Sequence, residues 1–212
     1  MSDADREAEE LIAAELRRER PDDALVGEEG ASVGGDSGRR WVVDPLDGTV
    51  NYLYGHAAWA VSIALEDADG RVVGVVHDPA RGETFRAARG AGCQLNGAPV
   101  RVTGVERLDV ALVATGFGYA SERRAMQAET LARVLPRVRD IRRNGSAALD
   151  LAWVAAGRLD AYYERGVQHW DTAAGRLLVE EAGGATQELP GEPAGLAAAS
   201  PTLLPQLVEL VG

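Results

Sequence analysis

The strand-to-helix junction Trp41-Val-Val-Asp44-Pro-Leu-Asp47-Gly-Thr49-Val-Asn51 constrains this chain more than any other stretch. Val42 and Val43 read as the end of a buried strand, and Pro45 is expected to stop the ladder because it has no N–H to donate. Asp44 and Asp47 then sit on the turn, where their oxygens can converge. Gly48 and Thr49 present free backbone N–H groups at a helix start, which makes a ready anion site. Paired carboxylates beside an anion pocket make chemical sense when divalent metal lies between carboxylate and phosphate. The junction therefore points to metal-assisted phosphate chemistry.

Other strand and helix ends supply further oxygen ligands. Gly27-Glu28-Glu29 follows the apolar pair Leu25-Val26, and Gln168-His169-Trp170-Asp171 places Asp171 just before a helical run. Hard cations such as Mg²⁺ take oxygen ligands, keep several waters and prefer octahedral geometry. Glu28, Asp44, Asp47 and Asp171 form a set sufficient for two ions. Each also has an ordinary reading. Asp44 and Asp47 suit a turn, Asp171 suits the cap of a helix beginning at Thr172, and Thr49 suits a first helical turn.

Along the chain, 3–20 reads as an amphipathic helix with Ala4, Ala8, Leu11, Ile12 and Leu16 on one face, closed by Pro21. Strands at 60–65 and 72–76 join through Asp69-Gly70, and 84–88 with the Asn96-Gly97 turn extends the antiparallel sheet. A strand at 111–115 precedes a helix at 121–135. A short strand at 139–143 leads into a helix at 146–156. A strand at 159–164, a helix at 172–182, short strands at 185–188 and 197–199, and a helix from Pro201 to Val211 complete the pattern. This mixed order fits an α+β or layered α/β fold, not a simple βαβ repeat.

Composition narrows the classes. With 212 residues and 46% hydrophobic content the chain can bury a sizeable core, as one domain or two joined lobes. The formal charge of −11 argues against nucleic acid or an anionic membrane as the main partner. It does not argue against a phosphate substrate, because bound cations invert the field of a carboxylate cluster. No apolar run approaches the ~20 residues of a membrane span. The single cysteine, Cys93, fits a reducing cytosol and reads as a small packed residue, since its neighbours offer no base.

Glu28-Glu29, the Asp44-Pro-Leu-Asp47-Gly-Thr49 run and Trp170-Asp171-Thr-Ala-Ala-Gly175, in that order, resemble the inositol monophosphatase family of Mg²⁺-dependent phosphatases. Gly145-Ser146-Ala147 and Asp160-Ala-Tyr-Tyr-Glu164 match stretches that line the family's substrate pocket. The resemblance implies an αβαβα layered sandwich, with an N-terminal lobe over 1–110 and a C-terminal lobe over 111–212 carrying Asp171. It implies a first Mg²⁺ on Glu28, Asp44 and the Leu46 carbonyl, a second on Asp44, Asp47 and Asp171, and a looser third involving Asp5. Glu28 and Thr49 would orient the attacking water, with Asp47 as a further catalytic residue. Gly48, Thr49, Gly145, Ser146, Ala147, Glu164 and Asp171 would hold the substrate.

The implied reaction is hydrolysis of a small polyol or sugar phosphate. Inositol 1-phosphate is the first expectation, and fructose 1,6-bisphosphate, histidinol phosphate or a broader sugar-phosphate range the second. Lithium sensitivity, a homodimer and a cytoplasmic setting belong to the same resemblance. Gln168 stands where the family often carries histidine. The family's first helix and lysine-bearing loop would precede Ser2, so their absence is expected to expose apolar surface and loosen the third metal position. That departure also leaves a reading of another class, a non-catalytic metal- or phosphate-binding or interaction protein.

Overall fold

In a computed structural model of the chain, which describes residues 2–212, the hydrophobic runs build two sheets and interleave them with helices. The first sheet has eight strands: β1 (Ala24–Gly27), β2 (Ser32–Val33), β3 (Arg40–Asp47), β4 (Ala60–Asp67), β5 (Gly70–Asp78), β6 (Glu83–Ala88), β7 (Gly92–Leu95) and β8 (Ala98–Val100). Their order is β2-β1-β3-β4-β5-β6-β7-β8, antiparallel except where β1 runs parallel to β3. The second sheet has five strands: β9 (Leu112–Thr115), β10 (Asp140–Arg142), β11 (Ala161–Arg165), β12 (Ala185–Leu189) and β13 (Gly195–Ala199), in the order β10-β9-β11-β13-β12.

Helices α4 (Ala147–Ala155) and α5 (His169–Glu181) fill the space between the sheets. Helix α1 (Asp3–Glu19) covers β3, and α3 (Ser121–Val134) with α6 (Leu204–Val211) lies beyond the five-stranded sheet. A short α2 (Thr49–Leu53) follows β3. The result is the expected αβαβα layering. Strand β11 shows why the layers hold: Tyr162 enters the apolar cluster around α4 and α5, while Tyr163 enters the cluster beneath α6. Successive side chains of a strand point to opposite faces, so adjacent tyrosines can serve two cores.

Three local expectations need correction. Pro45 does not end the ladder; β3 runs on to Asp47 through a bulge. Asp44 pairs with Ser62 and Asp47 with Ala60, so two residues, Pro45 and Leu46, stand opposite Val61 alone. The bulge removes the need for a proline N–H. Helix α5 begins at His169, not Thr172, which places Asp171 inside its first turn. On α1 the buried face is Asp5, Glu9 and Ala13, whereas Leu11 is 73% exposed. Hydrogen bonds to the two carboxylates, not apolar content, set that rotation.

Gly74 fixes the spacing between α5 and the first sheet. A Cβ built there would lie 2.8 Å from the Ala174 carbonyl oxygen, so only glycine lets the helix backbone rest directly on β5.

Candidate active site at the β3–α2 junction

The β3 bulge aims Asp44 and Asp47 into a cavity of about 250 Å³ between the sheets. Glu28, Leu46, Gly48, Thr49, Gly145, Ser146, Ala147, Glu164 and Asp171 also line it, so every expected metal, catalytic and substrate residue except Asp5 meets there. Asp5 lies just behind, 1% exposed, with Oδ1 3.3 Å from the Thr49 hydroxyl. That hydroxyl is also 3.2 Å from the Leu46 carbonyl.

The chain holds each of three aspartates by one oxygen or one face. Asp44 Oδ1 accepts the Leu46 N–H at 3.0 Å, a bond made possible by the bulge. Asp47 Oδ2 accepts the Ser146 hydroxyl and the Ala148 N–H, both at 2.6 Å. The Ser146 hydroxyl is thus committed to Asp47, and as N-cap of α4 its oxygen also receives the Leu149 N–H. Asp171 Oδ2 accepts the Gln168 N–H at 2.7 Å, closing a capping box. Cap and cavity-facing acid are therefore one residue. Glu28 sits at the exit of β1, its N–H bonded to the Val43 carbonyl.

Gly48 occupies the N-cap of α2 with φ 94°, a left-handed conformation natural to glycine, and a Cβ there would lie 2.9 Å from the Ala58 carbonyl. The first-turn N–H groups beyond it have no partner within the helix.

Burial dominates the electrostatics. It pushes Asp44 and Asp171 well above the ordinary aspartate range, and in both cases the neighbouring Asp47 charge pushes further. Asp47 rises to about 6, again through burial, held back by the bonds from Ser146 and Ala148. Glu28 is raised by burial and tempered by a hydrogen bond with Asp44. Glu164 reaches about 7 and Asp150 about 8, both through burial first. Arg143 is the basic side chain that opposes these shifts at Asp47, Asp150 and Glu164.

The donors are all oxygen, anionic or carbonyl, which suits a hard divalent cation and no soft one. Among the described residues no three His, Cys, Asp or Glu side chains already close around one point. The fit therefore rests on donor chemistry: buried carboxylates that repel one another and keep cavity-facing oxygens are what a divalent ion neutralises.

Asp150, Arg143, Arg123 and Tyr119 also line the cavity, and sequence alone placed none of them among the site residues. Asp150 had a signal, as the single acid in the apolar helix Ala-Ala-Leu-Asp-Leu-Ala-Trp-Val-Ala. Arg143 belongs to a basic run, with Arg137, Arg139 and Arg142, that could attract phosphate but reads more readily as salt-bridged surface, as Arg142 proves to be, pairing with Asp140 at 2.6 Å. Cys93 is buried and its thiol is pushed up to about 11, consistent with packing. His169 lies outside the cavity lining, 2.9 Å from Glu66.

The profile of the inositol monophosphatase family matches residues 1–210, and the chain belongs to that family. It is 50% identical over 188 residues to inositol-1-monophosphatase of Mycobacterium bovis, a match spanning 84% of this chain and 65% of that protein. It is 48% identical over 184 residues to a Xylella fastidiosa protein named Nus factor SuhB, spanning 86% and 66%. The crystal structure of extragenic suppressor protein SuhB from Bartonella henselae superposes with a TM-score of 0.94 at 40% identity, over 100% of this chain and 84% of that one. The chain thus spans just under two thirds of the length of these two curated relatives. No helix among the described residues is long and apolar enough to cross a membrane.

Proposed function

We propose that the chain hydrolyses phosphomonoesters of small polyols or sugars in a Mg²⁺-dependent reaction, with inositol 1-phosphate as first substrate. Fructose 1,6-bisphosphate, histidinol phosphate and other sugar phosphates come second. The observation that carries this reading is the convergence of Glu28, Asp44, Asp47 and Asp171 beside the N-terminus of α2 in one cavity. Family membership and the name of the mycobacterial relative support it.

Glu28, Asp44, the Leu46 carbonyl, Asp47 and Asp171 would hold two ions, and Asp5 a third. When bound, Mg²⁺ lowers the pKa of water and neutralises charge that develops on a phosphoryl group. The protein's own groups do the positioning. The N–H groups of Gly48 and Thr49 bind phosphate oxygens at the helix start. The Thr49 hydroxyl, within reach of Asp5 and the Leu46 carbonyl, orients the attacking water together with Glu28. Ser146 and Ala148 hold Asp47 in place, and Glu164 accepts substrate hydroxyls. Phosphoryl transfer asks mainly for positioning and electrostatics, so a buried Cys93 and an outlying His169 are no obstacle.

The same reading makes the protein a cytoplasmic, lithium-sensitive homodimer of two lobes, 1–110 and 111–212. Phosphate release from inositol 1-phosphate, fructose 1,6-bisphosphate and histidinol phosphate, with Mg²⁺ and with EDTA, tests the function. Mg²⁺-dependent release that falls at least ~100-fold in Asp47→Asn, with circular dichroism unchanged, is the expected result. A second reading, an interaction protein, draws on the Nus factor name of one relative. It predicts no turnover of any ester and partner binding that survives Asp47→Asn.

A further inference from the structure

We infer that Asp150 is a second hydroxyl-recognising side chain of the cavity, acting beside Glu164 to select phosphate esters that carry neighbouring hydroxyls. The inference rests on the phosphomonoesterase reading and extends it to substrate selection.

Asp150 is 1% exposed and lines the cavity, on a helix whose other buried residues are all apolar. Its carboxyl has one hydrogen-bond partner among the described residues, Asn144, whose Nδ2 donates to Oδ1 at 2.6 Å. It forms no ion pair among them. A buried carboxyl with spare bonding capacity is costly unless a ligand completes it. Glu164 is placed in a similar way: Tyr162 donates its hydroxyl to Oε2 at 3.0 Å, and the carboxyl lines the same cavity.

The chemistry of the pair matches a polyol. Burial lifts Asp150 to about 8 and Glu164 to about 7, so near neutral pH the two offer both acid O–H donors and carboxylate acceptors. Adjacent sugar or inositol hydroxyls each donate and accept, and satisfy both.

Position is set as well as chemistry. The Asn144 carbonyl accepts Asn51 Nδ2 at 2.7 Å, and the same Nδ2 is 2.6 Å from the Ala58 carbonyl. Asn51 belongs to α2, whose start forms the phosphate cradle. Two hydrogen bonds thus connect Asp150, through Asn144, to the helix that begins at the phosphate side of the cavity.

The test compares myo-inositol 1-phosphate with phenyl phosphate, which has no hydroxyl beside its ester, in the unaltered protein and in Asp150→Asn. The expected result is a fall of ~10-fold or more in the polyol-to-aryl ratio of kcat/KM, carried mainly by KM. An equal loss on both esters, or no change in the ratio, overturns the inference. Asn144→Ala separates contact from scaffolding: it removes the tether and keeps the carboxyl in the cavity. A contact role predicts that the polyol preference persists there; a scaffolding role predicts the Asp150→Asn defect, and that result also overturns the inference. If the unaltered protein turns over neither ester with Mg²⁺, the phosphomonoesterase reading fails on its own. Calorimetric titration of the two esters then decides selection: a polyol preference abolished by Asp150→Asn upholds it, and equal affinities overturn it.

Discussion

The acids of the cavity and the acids of the outer sheet are the same side chains in opposite states. Asp44, Asp47, Asp150, Glu164 and Asp171 are driven up by burial and by one another. Glu66, on the far part of β4, is held down to about 2 by hydrogen bonds from His169 and Arg40. Asp67 and Glu83 are likewise lowered, by Arg89 and Arg158. The fold brings each outer acid a cation, and the inner ones largely go without. A formal charge of −11 hides this division. Part of the excess is concentrated where a divalent ion and a phosphate would meet.

The largest expected effect follows from that division. A carboxyl raised on folding contributes stability below its unfolded pKa and loses it as pH climbs through its folded value. For Asp47 the window runs from 3.8 to about 6, and for Glu164 from 4.5 to about 7. With EDTA present, urea unfolding should show lower stability at pH 8 than at pH 5, by about 1 kcal/mol from Asp47 and about 2 kcal/mol from Glu164. Mg²⁺ should restore it at pH 8. Equal stability at both pH values in EDTA would dissolve the contrast between inner and outer acids.

Glu9 sharpens the comparison, because it is a buried acid served by the backbone. It is 4% exposed and accepts the N–H groups of Glu29 and Ala31 at 2.9 and 2.8 Å, holding the turn that presents Glu28. Glu9→Gln keeps the shape but weakens those bonds. A loss of about 1–3 kcal/mol is expected, with weaker Mg²⁺ binding by calorimetry. Unchanged stability and metal affinity would mean that the turn holds itself.

The smallest effect belongs to the outer acids. Glu66 is depressed, so its contribution is present above pH 4.5 and is lost as pH falls toward 2. Glu66→Gln should cost roughly 1 kcal/mol at pH 7, because its arginine and histidine partners are half-exposed. It should also flatten the acid limb of a thermal stability profile below pH 4.5. A variant with an unaltered acid limb would show that this pairing carries no weight.

The inner acids were largely legible in the sequence, since Glu28, Asp44, Asp47 and Asp171 all lie at strand ends or helix starts flanked by apolar residues. The layered fold came from resemblance, as strand and helix periodicity alone allowed other arrangements. What escaped depended on partners distant in the chain. The bulge at Pro45 needs the register of β4, and the α5 start needs Gln168 and Asp171 to bond each other. Leu11 reads as core until two carboxylates claim the inner face of α1. Asp150 and Arg143 become site residues only once α4 is seated between the sheets.

The missing side chain at Gly74 has a wider consequence. Because the α5 backbone rests on β5 with no Cβ between them, the separation of Asp171 from the β3 aspartates is set by a contact of bare main chain. Bulkier or slimmer neighbours can be exchanged elsewhere in this core with compensating shifts, but a main-chain contact has nothing to trim. The calibration of the site thus runs through a position that carries only a hydrogen atom.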